Sequence, residues 1–310
     1  MKIIFMGSAA FSIPSLEALL QSSHRVAGVI TNQEKPAGRG LQPKPTPVAA
    51  LAAQHAIETI TPATLKNNSG VFTWIQERSP EAVVVVAYGK LIPPDILHLP
   101  PHGCLNVHPS LLPAYRGAAP VQRALLHGDE KTGVTIMLLD EGMDSGPVLI
   151  QEEMAVTAAD DAATLGKKLA VRGAAMLLKT LDLLEQKRIE PVAQRHEQAT
   201  LAPRITKAEG RLDFNKSAVQ LHNTVRALIE WPGTWITCKG ELVHVLATGL
   251  SGSTSVLPAG YIINIDKHGI HAATGEGVII LRSVKPAGGK AMDAFSYANG
   301  RRLKAGDVLG

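Results

Sequence analysis

The run EAVVVVAYG, residues 81–89, constrains the fold more than any other stretch of this chain. Four consecutive valines leave no polar alternate, so neither face of such a strand can meet water. A strand of that kind belongs in the middle of a parallel sheet with helices on both faces. The same continuous apolar character marks KIIFMGS, HRVAGVITN, HGCLNVHPS and KTGVTIMLLD. Helical segments lie between them. Leu16, Leu19 and Leu20 share one face behind Pro14, which suits a first helical turn. Further helices are expected from about Val48 to His55, in a segment ending at Arg78, and in AAPVQRALLHG. This alternation predicts a Rossmann-like α/β fold, a mostly parallel sheet with helices on both faces. The Pro/Gly-rich stretch EKPAGRGLQPKPTPV is expected to be a loop.

The pattern changes after a long helix expected over residues 161–184. Polar, proline-marked chain follows, and then one helix, Ala218 to Leu228, with the short β runs TWITCKG, ELVHVLATG, AGYIINID and GIHAATGEGVIILRSV. Short strands without intervening helices predict a small antiparallel barrel or sandwich, with an OB-like β-barrel as the expected form. The expected domains are therefore residues 1–187, a linker at 188–205, and a C-terminal β domain at 206–310. Charge divides along similar lines. Residues 1–204 hold 19 Lys+Arg and 19 Asp+Glu, whereas residues 205–310 hold 12 and 8. A basic module beside a neutral one points to a polyanionic partner.

Several function classes are excluded. The two cysteines, Cys104 and Cys238, are far apart and have no zinc spacing, so no metal is expected. The apolar N-terminal stretch is broken at Gly7, too early for a signal segment, and no later apolar run approaches a spanning length. A soluble, cytoplasmic protein without membrane contact is expected. The first strand ends in GSAAFS, with one glycine where a dinucleotide fingerprint needs three, and no P-loop occurs.

The chemistry concentrates in CLNVHPSLLPAYRG, residues 104–117. Period two places Asn106 and His108 on one side of a strand end, where ligands gather in open α/β sheets. A neighbouring amide and imidazole can both donate to one developing oxyanion. The next strand ends in LLDEGMDSGPVL, where Asp140, Glu141 and Asp144 cluster. A carboxylate there is expected to hold His108 cationic and orient it.

NVHPSLLPAYRGAAPVQRAL closely resembles the signature of the folate-dependent formyltransferases. FMGSAAFSIPSLEALL, AYGKLIPPDIL, GVTIMLLDEGMDSGPVL and WPGTWITCKGELVHVLA resemble the same family, so the likeness covers nearly the whole chain. It is greatest to the branch whose acceptor is the amine of methionine on initiator tRNA. The resemblance implies that Asn106, His108 and Asp144 are catalytic. It implies folate contacts from Ser110, Leu111, Leu112 and Pro113, from the loop Ala87, Tyr88, Gly89, Lys90, Leu91 and Ile92, and from Asp140. The co-substrate would be 10-formyltetrahydrofolate, with no metal, and the acting unit a monomer. KPAGRG resembles a tRNA-contacting insertion. Arg39 would enter the acceptor stem, with Lys35 and Lys44 standing in for a lysine pair that relatives carry where Leu41 and Gln42 stand here. Lys207, Arg211, Arg301, Arg302 and Lys304 are the expected tRNA contacts of the C-terminal domain. Formyl transfer to an amine is acyl transfer. The amine must be neutral, and α-amines titrate near ~7.7–8.0, so a base or water relay at Asp144 is expected. Competing readings are a sugar-nucleotide amine acceptor, a hydrolase releasing formate, and a nucleic-acid-binding module with an inert Rossmann-like half.

Overall fold

The computed structural model describes the backbone of residues 1–37 and 42–310, and the side chains of residues 1–34 and 44–310. Arg39 and Leu41 lie outside the described residues. Two compact units divide the chain. The first comprises Met1–Pro120, Lys131–Ala155 and Gly166–Ala202; the second comprises Val121–Glu130, Val156–Leu165 and Pro203–Gly310.

In chain order, the first part holds β1 (Lys2–Gly7), α1 (Ile13–Leu20), β2 (Arg25–Ile30), β3 (Lys35–Ala37), β4 (Gln42–Lys44), α2 (Pro47–Gln54), β5 (Thr59–Ile60), α3 (Ser69–Glu77), β6 (Ala82–Val86), α4 (Pro94–Leu97) and β7 (Cys104–His108). Then come α5 (Pro120–His127), β8 (Lys131–Leu138), β9 (Val148–Ala155) and α6 (Ala162–Glu185). Seven strands form one sheet in the order β5-β2-β1-β6-β7-β8-β9. Pairing is parallel from β5 to β7 and antiparallel for β7–β8 and β8–β9. Ile3, Ile4, Phe5 and Met6 of β1 and Val83, Val84 and Val86 of β6 are fully buried, as unbroken apolar runs require. Strand order reverses between β1 and β6, and in open α/β sheets ligands bind beyond the carboxyl ends of the strands at such a point.

Two stretches that the sequence does not mark as strands are strands. The stretch read as a loop contains the β3–β4 hairpin, with Lys35 paired to Lys44 and Pro36 to Pro43. Pro has no N–H for a ladder and lies outside ordinary strand patterning. Strand β9 carries Gln151, Glu152 and Glu153 because it is an edge, so half its side chains face water.

Helix α6 decides which face of β7 carries chemistry. A Cβ on Gly173 would sit 2.6 Å from Val107 Cγ1 and 3.3 Å from Val134 Cγ1, so the helix packs directly on the face that holds Leu105 and Val107. Asn106 and His108 are left on the other face. Gly173→Val should lower the urea midpoint through a loss of about 1–3 kcal/mol, the usual cost of overpacking. A midpoint equal to wild type would show that helix and strand separate freely.

The second unit holds α5 from Val121 on, the first turn of α6, and α7 (Ala218–Ala227), β10 (Thr234–Cys238), β11 (Glu241–Leu250), β12 (Ile262–Asp266), β13 (Gly269–Ala273), β14 (Val278–Pro286), β15 (Met292–Asp293) and α8 (Ala294–Gly300). The sheet is antiparallel throughout, in the order β10-β11-β14-β13-β12, with β15 on β14. Val308 bridges Tyr261 before β12, and Leu309 bridges Cys238 of β10, so the last residues link the two edges. Leu221 and Val225 of α7 and Tyr297 of α8 pack into its core with Val243, Ile279 and Leu281. Among the described residues no helix is long and apolar enough to cross a membrane.

Candidate active site

The end of β7 and the loop between β8 and β9 bring Asn106, His108 and Asp144 together. Asn106 Nδ2 donates to Asp144 Oδ1 at 3.4 Å, and His108 Nδ1 lies 3.7 Å from Asp144 Oδ2. The latter distance is too long for a hydrogen bond, and the contact becomes ionic only when the ring is protonated. The turn after β7 returns to the same pair. Tyr115 presents its carbonyl to His108 Nε2 at 3.0 Å, and the Gly117 N–H donates to Asp144 Oδ2 at 2.8 Å. Gly117 has φ +125°, and a Cβ there would meet the Ala202 carbonyl oxygen at 2.7 Å, so only glycine brings this N–H to the carboxylate. Tyr115 and Asp144 are themselves left-handed, at φ +63° and +51°. Non-glycine residues in that region are held there by their surroundings and cluster at working sites.

His108 departs from the expectation of a standing cation. The ring is buried, and that burial holds its pKa below the ordinary imidazole value. Asp144 and the Tyr115 carbonyl push the other way without prevailing. The Tyr115 carbonyl can only accept, so Nε2 carries the proton of the neutral ring and Nδ1 keeps its lone pair. Once protonated, the ring would face an acceptor from each nitrogen. The site is thus shaped for the imidazolium and kept neutral by burial until a proton arrives.

The segment Ser110 to Pro113 is largely buried, and its polar atoms have protein partners. Ser110 Oγ donates to the Ala114 carbonyl at 2.6 Å, Thr135 Oγ1 donates to the Ser110 carbonyl at 2.7 Å, and the Leu112 N–H reaches Thr135 Oγ1 at 3.2 Å. Gln151 Nε2 donates to the Leu112 carbonyl at 2.8 Å. Leu111 is half-buried against Gly133. These contacts set the turn that delivers Tyr115 and Gly117.

Beyond β6, Ala87 and Gly89 take φ +45° and +79°. Asn32 Nδ2 donates to the Tyr88 carbonyl at 2.7 Å, fixing the loop from the end of β2. Tyr88 is buried, and that burial raises its hydroxyl to about 12. Lys90 Nζ donates to the carbonyls of Pro62 and Ala63, Ile92 packs on the buried cluster under α3, and Leu91 projects with 81% of its surface exposed. Asp140 organises its own loop: its carboxylate accepts from the Gly142 N–H at 3.1 Å and from Ser145 Oγ at 2.8 Å.

Sequence reasoning missed Tyr115, Gly117, Thr135, Gln151, Asn32 and Gln194. Each acts through a backbone group or meets partners remote in sequence, so no local pattern marks it. Among the described residues one group has metal-ligand spacing, His24, Asp182 and Glu185. It contacts the Met1 amine, with His24 Nδ1 at 3.2 Å and Glu185 Oε1 at 3.3 Å.

In the second unit Lys207, Arg211, Arg301, Arg302 and Lys304 are exposed. Arg301 pairs with Glu241 at 2.7 Å, and Arg211 lies 5.8 Å over the Trp235 ring. Lys44 is exposed on the hairpin.

The Formyl transferase family profile matches residues 1–181, and the profile of the formyl transferase C-terminal domain matches residues 204–302. The chain is 41% identical over 308 residues to the methionyl-tRNA formyltransferase of Sulfurihydrogenibium sp. (strain YO3AOP1), covering 99% of each chain. It is 40% identical over 310 residues to that of Thermus thermophilus, covering 100% of this chain and 99% of the relative. Among solved structures, an N-formyltransferase from Helicobacter canadensis in complex with folinic acid and dTDP-3-aminofucose matches with TM-score 0.67 and 17% identity, over 91% of this chain and 98% of that one. HypX from Aquifex aeolicus in complex with tetrahydrofolic acid matches with TM-score 0.64 and 15% identity, over 98% of this chain and 48% of that one. These two likenesses concern the fold. Full-length identity near two residues in five, over both matched domains, carries the assignment: the chain belongs to the formyltransferase family and, within it, to the methionyl-tRNA formyltransferases.

Proposed function

We infer that this chain transfers the formyl group of 10-formyltetrahydrofolate to the α-amine of methionyl-tRNA. The observation that carries the chemistry is the convergence of Asn106, His108 and Asp144 at one strand end. The folate supplies a formyl group already activated for acyl transfer. A single long contact leaves Asn106 Nδ2 with donor capacity for negative charge developing on the formyl oxygen. Neutral His108 takes the amine's proton at Nδ1, directly or through a water. The amine nitrogen bonds to the formyl carbon, and the resulting imidazolium is held between Asp144 Oδ2 and the Tyr115 carbonyl until the carbon–N10 bond breaks and the ring returns its proton to the departing folate nitrogen. The left-handed backbone at Ala87 and Gly89 supports a role for Ala87–Ile92 in presenting main-chain groups to the pterin, and Asp140 is proposed to contact the folate as well. Ser110–Pro113 would contribute by shaping the turn.

Residues 1–187 are proposed as the catalytic part, 188–205 as the connection, of which 188–202 pack within the first unit, and 206–310 as the tRNA-binding part. The proposed tRNA contacts are Lys35, Arg39 and Lys44 of the insertion and Lys207, Arg211, Arg301, Arg302 and Lys304 of the second unit. The backbone register pairs position 35 with position 44. The catalytic trio comes from one unit of one chain, which supports action as a monomer, and the likeness to translation enzymes supports a cytoplasmic place.

Labelled 10-formyltetrahydrofolate should pass its formyl group to charged initiator tRNA and leave uncharged tRNA unmodified. Transfer to an amino sugar nucleotide alone, or release of formate alone, would overturn the reading. Affinity for tRNA should fall with salt by about 0.7–0.9 log units per log unit of salt for each phosphate contact, while folate affinity changes little. Arg302→Ala should raise the KM for tRNA and reduce that slope. A slope equal to wild type would remove Arg302 from the interface.

A further inference from the structure

Gln194 lies on irregular chain well past α6, yet only 8% of it is exposed. An amide buried from a loop is costly unless its hydrogen bonds are made. Here all are made. Nε2 donates to the carbonyls of Asp144, at 2.9 Å, and Gly146, at 2.6 Å. Oε1 accepts from Arg116 Nε at 3.0 Å and Nη2 at 2.7 Å. Carbonyls only accept and a guanidinium only donates, so the amide has one possible orientation.

These four bonds join the two pieces of chain that make the His108–Asp144 pair. On one side, the amide grips the carbonyls flanking Ser145 and so fixes the left-handed backbone of Asp144. On the other, Arg116 sits between Tyr115, whose carbonyl meets His108, and Gly117, whose N–H meets Asp144. Arg116 is itself buried and bound through its backbone, its N–H donating to the Thr200 carbonyl at 2.9 Å and its carbonyl accepting from the Ala202 N–H at 2.7 Å. Nη2 also reaches His196 Nδ1 at 3.1 Å. A chain of contacts from residues 194–202 thus holds both partners of the imidazole ring.

We propose that Gln194 is a positioning residue for Asp144, and that the chain beyond α6 completes the active site by holding the Asp144 carboxylate against His108 and the Gly117 N–H. The proposal rests on the formyl-transfer reading for its kinetic effect, but its geometric content does not.

Two variants of the full-length protein test it. Gln194→Met keeps the approximate volume and loses every bond. Gln194→Glu keeps an acceptor for Arg116, and so the local fold, but loses both donations to the Asp144 loop. For both, kcat for charged initiator tRNA should fall by about 10–10²-fold, the scale of an ångström-level misplacement. KM for folate and for tRNA should stay within about threefold, because a misplaced catalytic carboxylate affects turnover more than ground-state binding. The Gln194→Glu protein should keep the wild-type circular dichroism and melt somewhat lower, because the Asp144 and Gly146 carbonyls lose their donor. NMR titration of His108 should give a lower pKa in Gln194→Met, since Asp144 is the anion that raises it; in Gln194→Glu the added carboxylate itself favours the imidazolium, so that variant is read by kcat. That titration needs no turnover. Failure of wild-type protein to formylate charged tRNA would therefore count against the function, whereas a lowered His108 pKa would still uphold the positioning role. Wild-type kcat in Gln194→Glu, or a His108 titration unchanged in Gln194→Met, overturns the inference.

Discussion

Asn106→Ala should lower kcat by about 10²–10³-fold, the usual cost of removing one donor to a developing oxyanion. Asn106 is half-buried at the end of β7, its amide faces the site, and its long contact with Asp144 does little for the fold. Thermal stability and folate affinity should stay near wild type. His108→Ala should cost at least as much, because the same site loses its proton acceptor. Circular dichroism and single-turnover kinetics on both variants check this. Near-normal turnover in two folded variants would remove Asn106 and His108 from the chemistry.

Asp144→Asn should reduce turnover by roughly 10²–10⁴-fold and move His108 further down. Burial already holds His108 below the ordinary imidazole range of ~6.5. Asp144 is the charged group that opposes burial, so its removal disfavours the imidazolium still more. Neutral imidazole is the form that accepts the amine's proton. The acid limb of kcat/KM should therefore shift to lower pH in the variant while the plateau falls. Stability follows the same sign. Unfolded histidine titrates near ~6.5 and His108 in the folded protein below it. The stability gained by keeping the ring neutral is complete above ~6.5 and is lost as pH falls through the folded pKa. The variant should lose it over a wider interval. NMR titration of His108 in both proteins measures the shift, and a raised or unchanged pKa would break the proposed pairing.

Four valines in β6, the apolar β1 and the helical spacing of α1 and α6 were legible because each is a local periodicity that burial on one or two faces imposes. The hairpin β3–β4 was not legible, because prolines at 36 and 43 mimic loop chemistry. Nor was β9, whose Gln151-Glu152-Glu153 reads as surface because half of an edge strand is surface.

The same division runs through the site. That Asn106 and His108 share a side follows from period two within five residues, and needs only the strand. Which side it is was decided by tertiary packing, when Gly173 let α6 settle on Val107 and Val134. The family and its substrates were readable from contiguous motifs, since such motifs are themselves local. Gln194 was not, because its partners stand 78 and 50 residues away and its amide has no meaning until they meet. The protonation of His108 inverted the expectation for a related reason. A nearby carboxylate can be read from sequence as a neighbour that favours the cation. Burial is the sum of everything packed around the ring, and only the assembled structure shows that it outweighs the anion.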